Sequence, residues 1–282
     1  MTPRRSPGSP IPVSARFRRA RLLVALALLG ILALPPHPAS AESPLAAKSA
    51  HLRGGVARMP GLVLWAWESP QDLRFLDPDR AGVAYLAATL TLHADTVWIR
   101  PRMQPLLLGP RTPRLAVVRI QSDPGSRPRL SARQAQLVSS AIRRAADAAC
   151  LTGVQIDFDA GRSQRKFYRA LLMDVRRVLP DSLGLSMTAL ASWGLFDRWL
   201  GGLAVEEAVP MAFRMGADDA RVRAALAGGV DFAPALCRTS IGVSLDEPLP
   251  RIPRGRRVYL FHSGSWTRKL FEAAVARLGR RM

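Results

Sequence analysis

Between residues 61 and 261 the chain repeats one unit: a short apolar run, a polar break, then a stretch whose apolar residues return at helical spacing. The runs fall at 61–67, 82–89, 114–121, 153–159, 184–191, 207–213, 239–245 and 257–261, eight in all. Each has the length and the Val, Ile and Leu content of a strand covered on both faces. Between them, Val138, Ile142, Ala145 and Ala149 mark one face of a helix capped by Ser131. Phe167, Leu171, Val175 and Val178 mark another, which Pro180 stops. Further helical stretches fall at 193–200, at 218–227 and after residue 267. Strands alternating with helices imply a parallel sheet, and eight such units close into a single (β/α)8 barrel of the TIM type, with one or two helices reduced to turns. Residues 96–113 read as irregular or hairpin-like. An open doubly wound sheet is the other arrangement, but no Gly-x-Gly-x-x-Gly turn follows the first strand, so a Rossmann nucleotide site has no support. The barrel domain covers 61–282, after a linker at 42–60.

The first 41 residues do not belong to that pattern. Six arginines and no acid precede an unbroken apolar run at 22–34; Pro35, Pro36 and a small-x-small stretch at 39–41 follow. These are the parts of a secretory signal peptide, and the run is too short to span a bilayer. The expected location is periplasmic or secreted, with an uncleaved anchor as the alternative. Removal of 1–41 lowers the net charge from +20 to +14. Of 41 basic residues only Lys48, Lys166 and Lys269 are lysines. No nucleic-acid motif accompanies this charge, so a solvated arginine-rich surface is favoured over a nucleic-acid partner, and attraction to acidic polysaccharide stays open. Cys150 and Cys237 are the only cysteines. Export permits a bridge, while their small apolar neighbours equally suit buried free thiols. No Cys and His cluster has metal-ligand spacing, and nothing calls for a cofactor.

A barrel of this kind works at the C-terminal ends of its strands. Those ends carry Trp65, Trp67 and Glu68 on the first strand, Arg119 on the third, Gln155, Asp157 and Asp159 on the fourth, and Trp193 after the fifth. Met211 and Arg214 end the sixth, Asp246 and Glu247 the seventh, and His262 and Trp266 follow the eighth. The fourth strand is the most informative. Side chains alternate, so Gln155, Asp157 and Asp159 share one face and Ile156 and Phe158 the other. The apolar pair must meet the helices, which turns the acids toward the barrel axis. Two close carboxylates in a dry site separate their pKa values, as acid catalysis on a glycosidic oxygen requires. Neutralisation by Arg119 or Arg214 is the structural alternative, and a shared divalent cation a third reading. Indole faces stack on sugar rings, which makes Trp65, Trp67, Trp98, Trp193 and Trp266 candidate platforms, with core filling expected for at least two.

Residues 64–68, 72–76, 153–160, 167–171, 188–193, 207–211, 213–216 and 246–247 resemble an uncharacterised family of exported bacterial proteins, a domain of unknown function with a glycoside-hydrolase-like barrel. The resemblance spans about 60–266. A more distant one is to chitinase-like glycoside hydrolases, whose fourth strand carries Asp-Gly-x-Asp-x-Asp-x-Glu. The matching positions here are Thr152, Gly153, Gln155, Asp157 and Asp159, so one acid is retained and the terminal Glu is replaced by the shorter Asp. Pro210, Met211 and Phe213 resemble that group's sixth-strand Met-x-Tyr-Asp region without its Tyr-Asp.

The resulting expectation is hydrolysis of a bacterial, acidic polysaccharide. Asp159 is the acid, Asp157 tunes it, and Glu68 is a second carboxylate across the barrel. Trp65, Trp67, Arg119, Gln155, Trp193, Met211, Arg214 and Asp246 contact substrate. The alternative is a non-catalytic carbohydrate-binding envelope protein on the same barrel.

Overall fold

The computed structural model describes residues 55–279. The expected signal segment at 1–41 and most of the expected linker at 42–60 lie outside the described residues. Eight parallel strands form the wall: β1 (Leu62–Ala66), β3 (Ala81–His93), β6 (Arg114–Ser122), β7 (Leu151–Asp157), β8 (Gly184–Leu190), β9 (Glu207–Met211), β10 (Ser240–Ser244) and β11 (Arg257–Phe261). They pair in that order, and β11 pairs with β1 at Leu62↔Val258, so the sheet closes. A short extra pair, β2 (Gln71–Asp72) and β5 (Leu106–Leu107), lies to one side. The barrel expectation therefore holds.

Strand alternation sorts the side chains into two cores. Val63, Trp65, Ala84, Leu115, Val117, Val209, Tyr259 and Phe261 fill the interior. Leu64, Val83, Val118, Val154, Ile156, Leu185, Ile241 and Leu260 face outward under the helices. Burying a side chain of this size contributes about 1.5–3 kcal/mol, so the two layers together dominate the fold.

The helices are α1 (Ala132–Ala145), α2 (Arg165–Val178), α3 (Ala191–Phe196), α4 (Asp219–Ala227) and α5 (Arg268–Gly279). Ser131 caps α1 by accepting from the Gln134 N–H at 3.1 Å. Two face assignments need correction. Ala149 lies beyond the end of α1 and is exposed, and Val178 at the last turn of α2 is 42% exposed. The α2 face instead buries Phe167, Tyr168, Leu171, Leu172 and Val175.

Three connections lack an α-helix, more than the one or two expected: β1 to β3, β3 to β6, and β10 to β11. Their loops cover the barrel with buried Leu73 and Leu76, and with Leu249 and Ile252. The stretch at 96–101 is ordered as β4 (Thr96–Pro101), which returns antiparallel along the far end of β3. The assigned linker also ends early. Val56 and Met59, on a tight turn at 56–58, are buried in the barrel's lower end. Gly55, Gly153 and Gly184 permit this: a Cβ on Gly55 would stand 2.1 Å from the Gly184 nitrogen. Both cysteines are free thiols. Cys237 is buried, but Cys150 is exposed, because it lies in the turn before β7 with φ at 61°.

Candidate active site

The floor of the site is a buried chain of hydrogen bonds across the barrel. Trp65 Nε1 donates to Gln155 Oε1 at 2.8 Å, and Gln155 Nε2 donates to Ser186 Oγ at 3.0 Å. Ser186 donates to Glu207 Oε1 at 3.0 Å, Tyr259 donates to the same oxygen, and Arg257 reaches Glu207 Oε2 at 3.0 Å. Gln155 is fully buried. Gln155 and Trp65 are therefore floor residues. Their expected contact with substrate does not fit this placement, because both amide groups of Gln155 and the indole N–H are already engaged.

One layer higher on β7, Asp157 faces the mouth of the barrel. Its Oδ1 accepts the Thr188 hydroxyl at 2.7 Å. Burial pushes its carboxyl up to about 6, and the Asp159 charge adds to the rise, while the Thr188 hydrogen bond and the Arg119 charge oppose it. Asp159 lies two residues beyond the end of β7, at the exposed rim. Crowding by protein on its inner side raises its pKa as well, with Arg119 opposing. Arg119, directly paired with Asp157 in the β6–β7 register, forms no ion pair within 4.0 Å among the described residues. Neutralisation of the two acids by direct salt bridges is thus not what holds them.

Asp157, Asp159, Arg119 and Gln121 line an open cleft of about 410 Å3. A wider one of about 750 Å3 adjoins it, lined by Asp123, Arg127 and Arg129. Gln164 stands in both walls, with Nε2 bonded to Ser122 at 2.7 Å and Oε1 accepting the Gly161 N–H at 2.8 Å.

The other expected site residues are dispersed. Glu68 is paired with Arg100 of β4. Asp246 binds His262 Nδ1 at 2.8 Å and the Ser263 N–H at 3.0 Å; burial works against its ionisation, but these bonds leave its pKa lowered. Arg214, at a positive φ of 49°, lays its guanidinium 4.7 Å from the Phe261 ring, and its N–H donates to Glu247. Trp67 is half-buried, edge-on to Phe261, and Met211 packs against the interior core. Trp193 is buried outside the barrel, edge-on to Trp199 at 4.9 Å, so its faces are covered and it offers no platform. With Trp65 and Trp266 also buried, three of the five tryptophans fill core. Trp98 differs, with 53% of its surface exposed.

Sequence reasoning did not single out Thr188 as the partner of Asp157. The signal was present: Ser186 and Thr188 are the inward polar positions of β8, at the parity of Gln155 and Asp157 on the adjacent strand. Among the described residues no three His, Cys, Asp or Glu side chains converge as metal ligands, and no helix is long and apolar enough to cross a membrane.

Residues 110–205 match a family described as a domain of unknown function (DUF3142). That stretch runs from the approach to β6 through β8, and so contains Arg119, Asp157, Asp159, Gln164 and Thr188. Neither the curated proteins nor the solved structures hold a match to the chain.

Proposed function

We propose that the protein is a glycoside-hydrolase-like barrel that cleaves an acidic bacterial polysaccharide. The observation that carries this reading is Asp157: a carboxyl with a pKa near 6, held by Thr188 on the wall of a cleft and next to a second acid. An acid that keeps its proton toward neutral pH can give it to a glycosidic oxygen. The roles expected from sequence are exchanged in this account. Asp157 has the larger upward shift and supplies the proton, while Asp159, more open to solvent, accepts one from the attacking water. Direct attack by that water inverts the anomeric centre. Glu68 has no part in the step, since Arg100 engages it. Arg119, which lacks a direct carboxylate partner, suits a substrate carboxylate or sulfate, and the net charge of +14 beyond residue 41 favours anionic glycans.

The test is release of reducing ends from a panel of bacterial glycans. Asp157→Asn should lower turnover by about 10²–10⁴-fold while binding persists. A second reading, a carbohydrate-binding barrel without turnover, draws support from the mouth acids Glu68, Asp246 and Glu247, each already held by a neighbour. Equal binding by wild type and variant, with turnover by neither, favours that reading. We also infer that residues 1–41 direct export; N-terminal sequencing of the protein recovered outside the cytoplasm should begin at Glu42.

A further inference from the structure

Strands β3 and β6 do not stop at the barrel mouth. They continue upward, and β4 folds back along β3, so a three-stranded wall rises beside the carboxylate cleft. Leu90, Leu92 and Ile120 point to its outer side, into the helix-covered core. Alternation therefore gives the cleft side Thr89, Thr91 and His93 of β3, with Arg119 and Gln121 of β6. Register places Trp98 opposite Thr91 and Arg100 opposite Thr89, on that same side.

The register also links this wall to the acids. Arg100, Thr89, Arg119 and Asp157 form one cross-strand row, each directly paired with the next. One step higher, Trp98, Thr91 and Gln121 form a second, in which Gln121 Nε2 donates to Thr91 Oγ1 at 3.2 Å. Adjacent strands lie ~4.8 Å apart, so Trp98 stands roughly 14 Å across the wall from the β7 acids. That is the reach of a short oligosaccharide.

Trp98 is also buttressed on one side. One indole face stacks on the His93 ring at 4.1 Å and 19°, and His93 Nδ1 is bonded to Asp123 Oδ2 at 2.6 Å. Its other face has no aromatic neighbour among the described residues, and the residue is half exposed. Burial of such a ring is the usual outcome, as Trp65, Trp193 and Trp266 show. An indole that is buttressed from behind, open in front and flanked by hydroxyl, amide and guanidinium groups has the make-up of a sugar-stacking platform.

We propose that this wall is a distal saccharide subsite of the carboxylate cleft, with Trp98 stacking on a ring several units from the bond attacked. The inference rests on the glycan reading above. It predicts a dependence on chain length: a dimer that fills only the region around Asp157 and Asp159 does not reach Trp98, whereas longer chains do.

The experiment titrates full-length protein with ladders of neutral glucan, N-acetylglucosamine and uronate oligomers, dimer to hexamer, following calorimetry and indole fluorescence. Turnover is read separately. Trp98→Ala should weaken binding of the longest bound oligomers by about tenfold and leave dimers unaffected, and Trp98→Phe should recover most of the loss. The exposed position lets both variants fold, which circular dichroism checks. Length-dependent loss in a protein that turns nothing over upholds the subsite and removes the hydrolase. Normal turnover with binding unchanged in Trp98→Ala does the reverse. Failure of every oligomer to bind, or a Trp98 effect only on self-association, overturns the subsite.

Discussion

Asp157 should destabilise the protein at neutral pH, and Asp157→Asn should relieve that cost. Burial moves its carboxyl from 3.8 to about 6. Below about pH 4 the folded and unfolded chains both hold the proton, so the shift has no effect on stability. Between about pH 4 and 6 the folded protein keeps a proton that the unfolded chain has released, and stability falls as pH rises through that window. Above about pH 6 the full penalty is present. Two pKa units at 1.36 kcal/mol each amount to about 3 kcal/mol, a large share of a domain's net stability. Asn is neutral throughout and keeps an oxygen for the Thr188 hydroxyl. Urea unfolding of both proteins at a series of pH values isolates the effect, because groups that do not interact with Asp157 titrate alike and cancel in the difference, leaving its burial and its repulsion with Asp159. The two should be equally stable near pH 4. By pH 7.5 the Asn protein should be more stable by about 3 kcal/mol, a midpoint shift of about 1 M in urea. A difference constant across pH, or an Asn protein less stable at pH 7.5, would refute the burial argument and with it the assignment of Asp157 as a proton donor.

Two further outcomes test the frame around the site. Gln155→Leu removes the acceptor of the Trp65 N–H in a dry interior and should cost about 1–3 kcal/mol, while the Ser186 hydroxyl keeps its bond to Glu207. Thermal unfolding measures it, and an unchanged midpoint would show that water or a neighbour replaces the amide. In the native protein a maleimide should label Cys150 and spare Cys237, whose thiol burial pushes up to about 12. Mass spectrometry reads the ratio, and equal labelling would mean that the 237 region opens readily.

The barrel was legible because a parallel strand buried on both faces is an apolar run, and eight such runs in sequence leave few ways to close. The three helix-free crossovers were not legible. Leu73, Leu76, Leu249 and Ile252 cover the sheet from loops, where no period marks them as core. The tryptophans show a second limit. An indole suits a core and a sugar site equally, and sequence does not tell which ring faces are covered. Trp65 donates its N–H to Gln155 inside the barrel and Trp193 packs on Trp199 outside it, while Trp98, on the edge strand β4, stays open. Glu68 is a related case: its partner Arg100 comes from that same β4, in a segment that the sequence left as irregular or hairpin-like and that forms an antiparallel pair with β3.

The parity of β3 connects these points. Up to Leu86 its even residues face inward, since Ala84 pairs with Leu115 and Leu86 with Val117. Continued without interruption, that pattern would turn Ala88, Leu90 and Leu92 toward the mouth and hide Thr89, Thr91 and His93 beneath the helices. The register instead steps from Leu86↔Val117 to Ala88↔Val118, so Ala87 is one extra residue. Such a bulge exchanges the two faces of every residue that follows. Its carbonyl is not wasted, because the Arg102 N–H donates to it at 2.9 Å where β4 ends. The bulge thus solves two problems at once. It keeps Leu90 and Leu92 in the core, and it turns the Thr89 and Thr91 hydroxyls and the His93 imidazole to the cleft side, with Thr89 in the row of Asp157. In the sequence, the run at 82–89 stops short of this upper half, and only the polar residues at alternate positions, Thr89, Thr91 and His93, record that it belongs to the cleft.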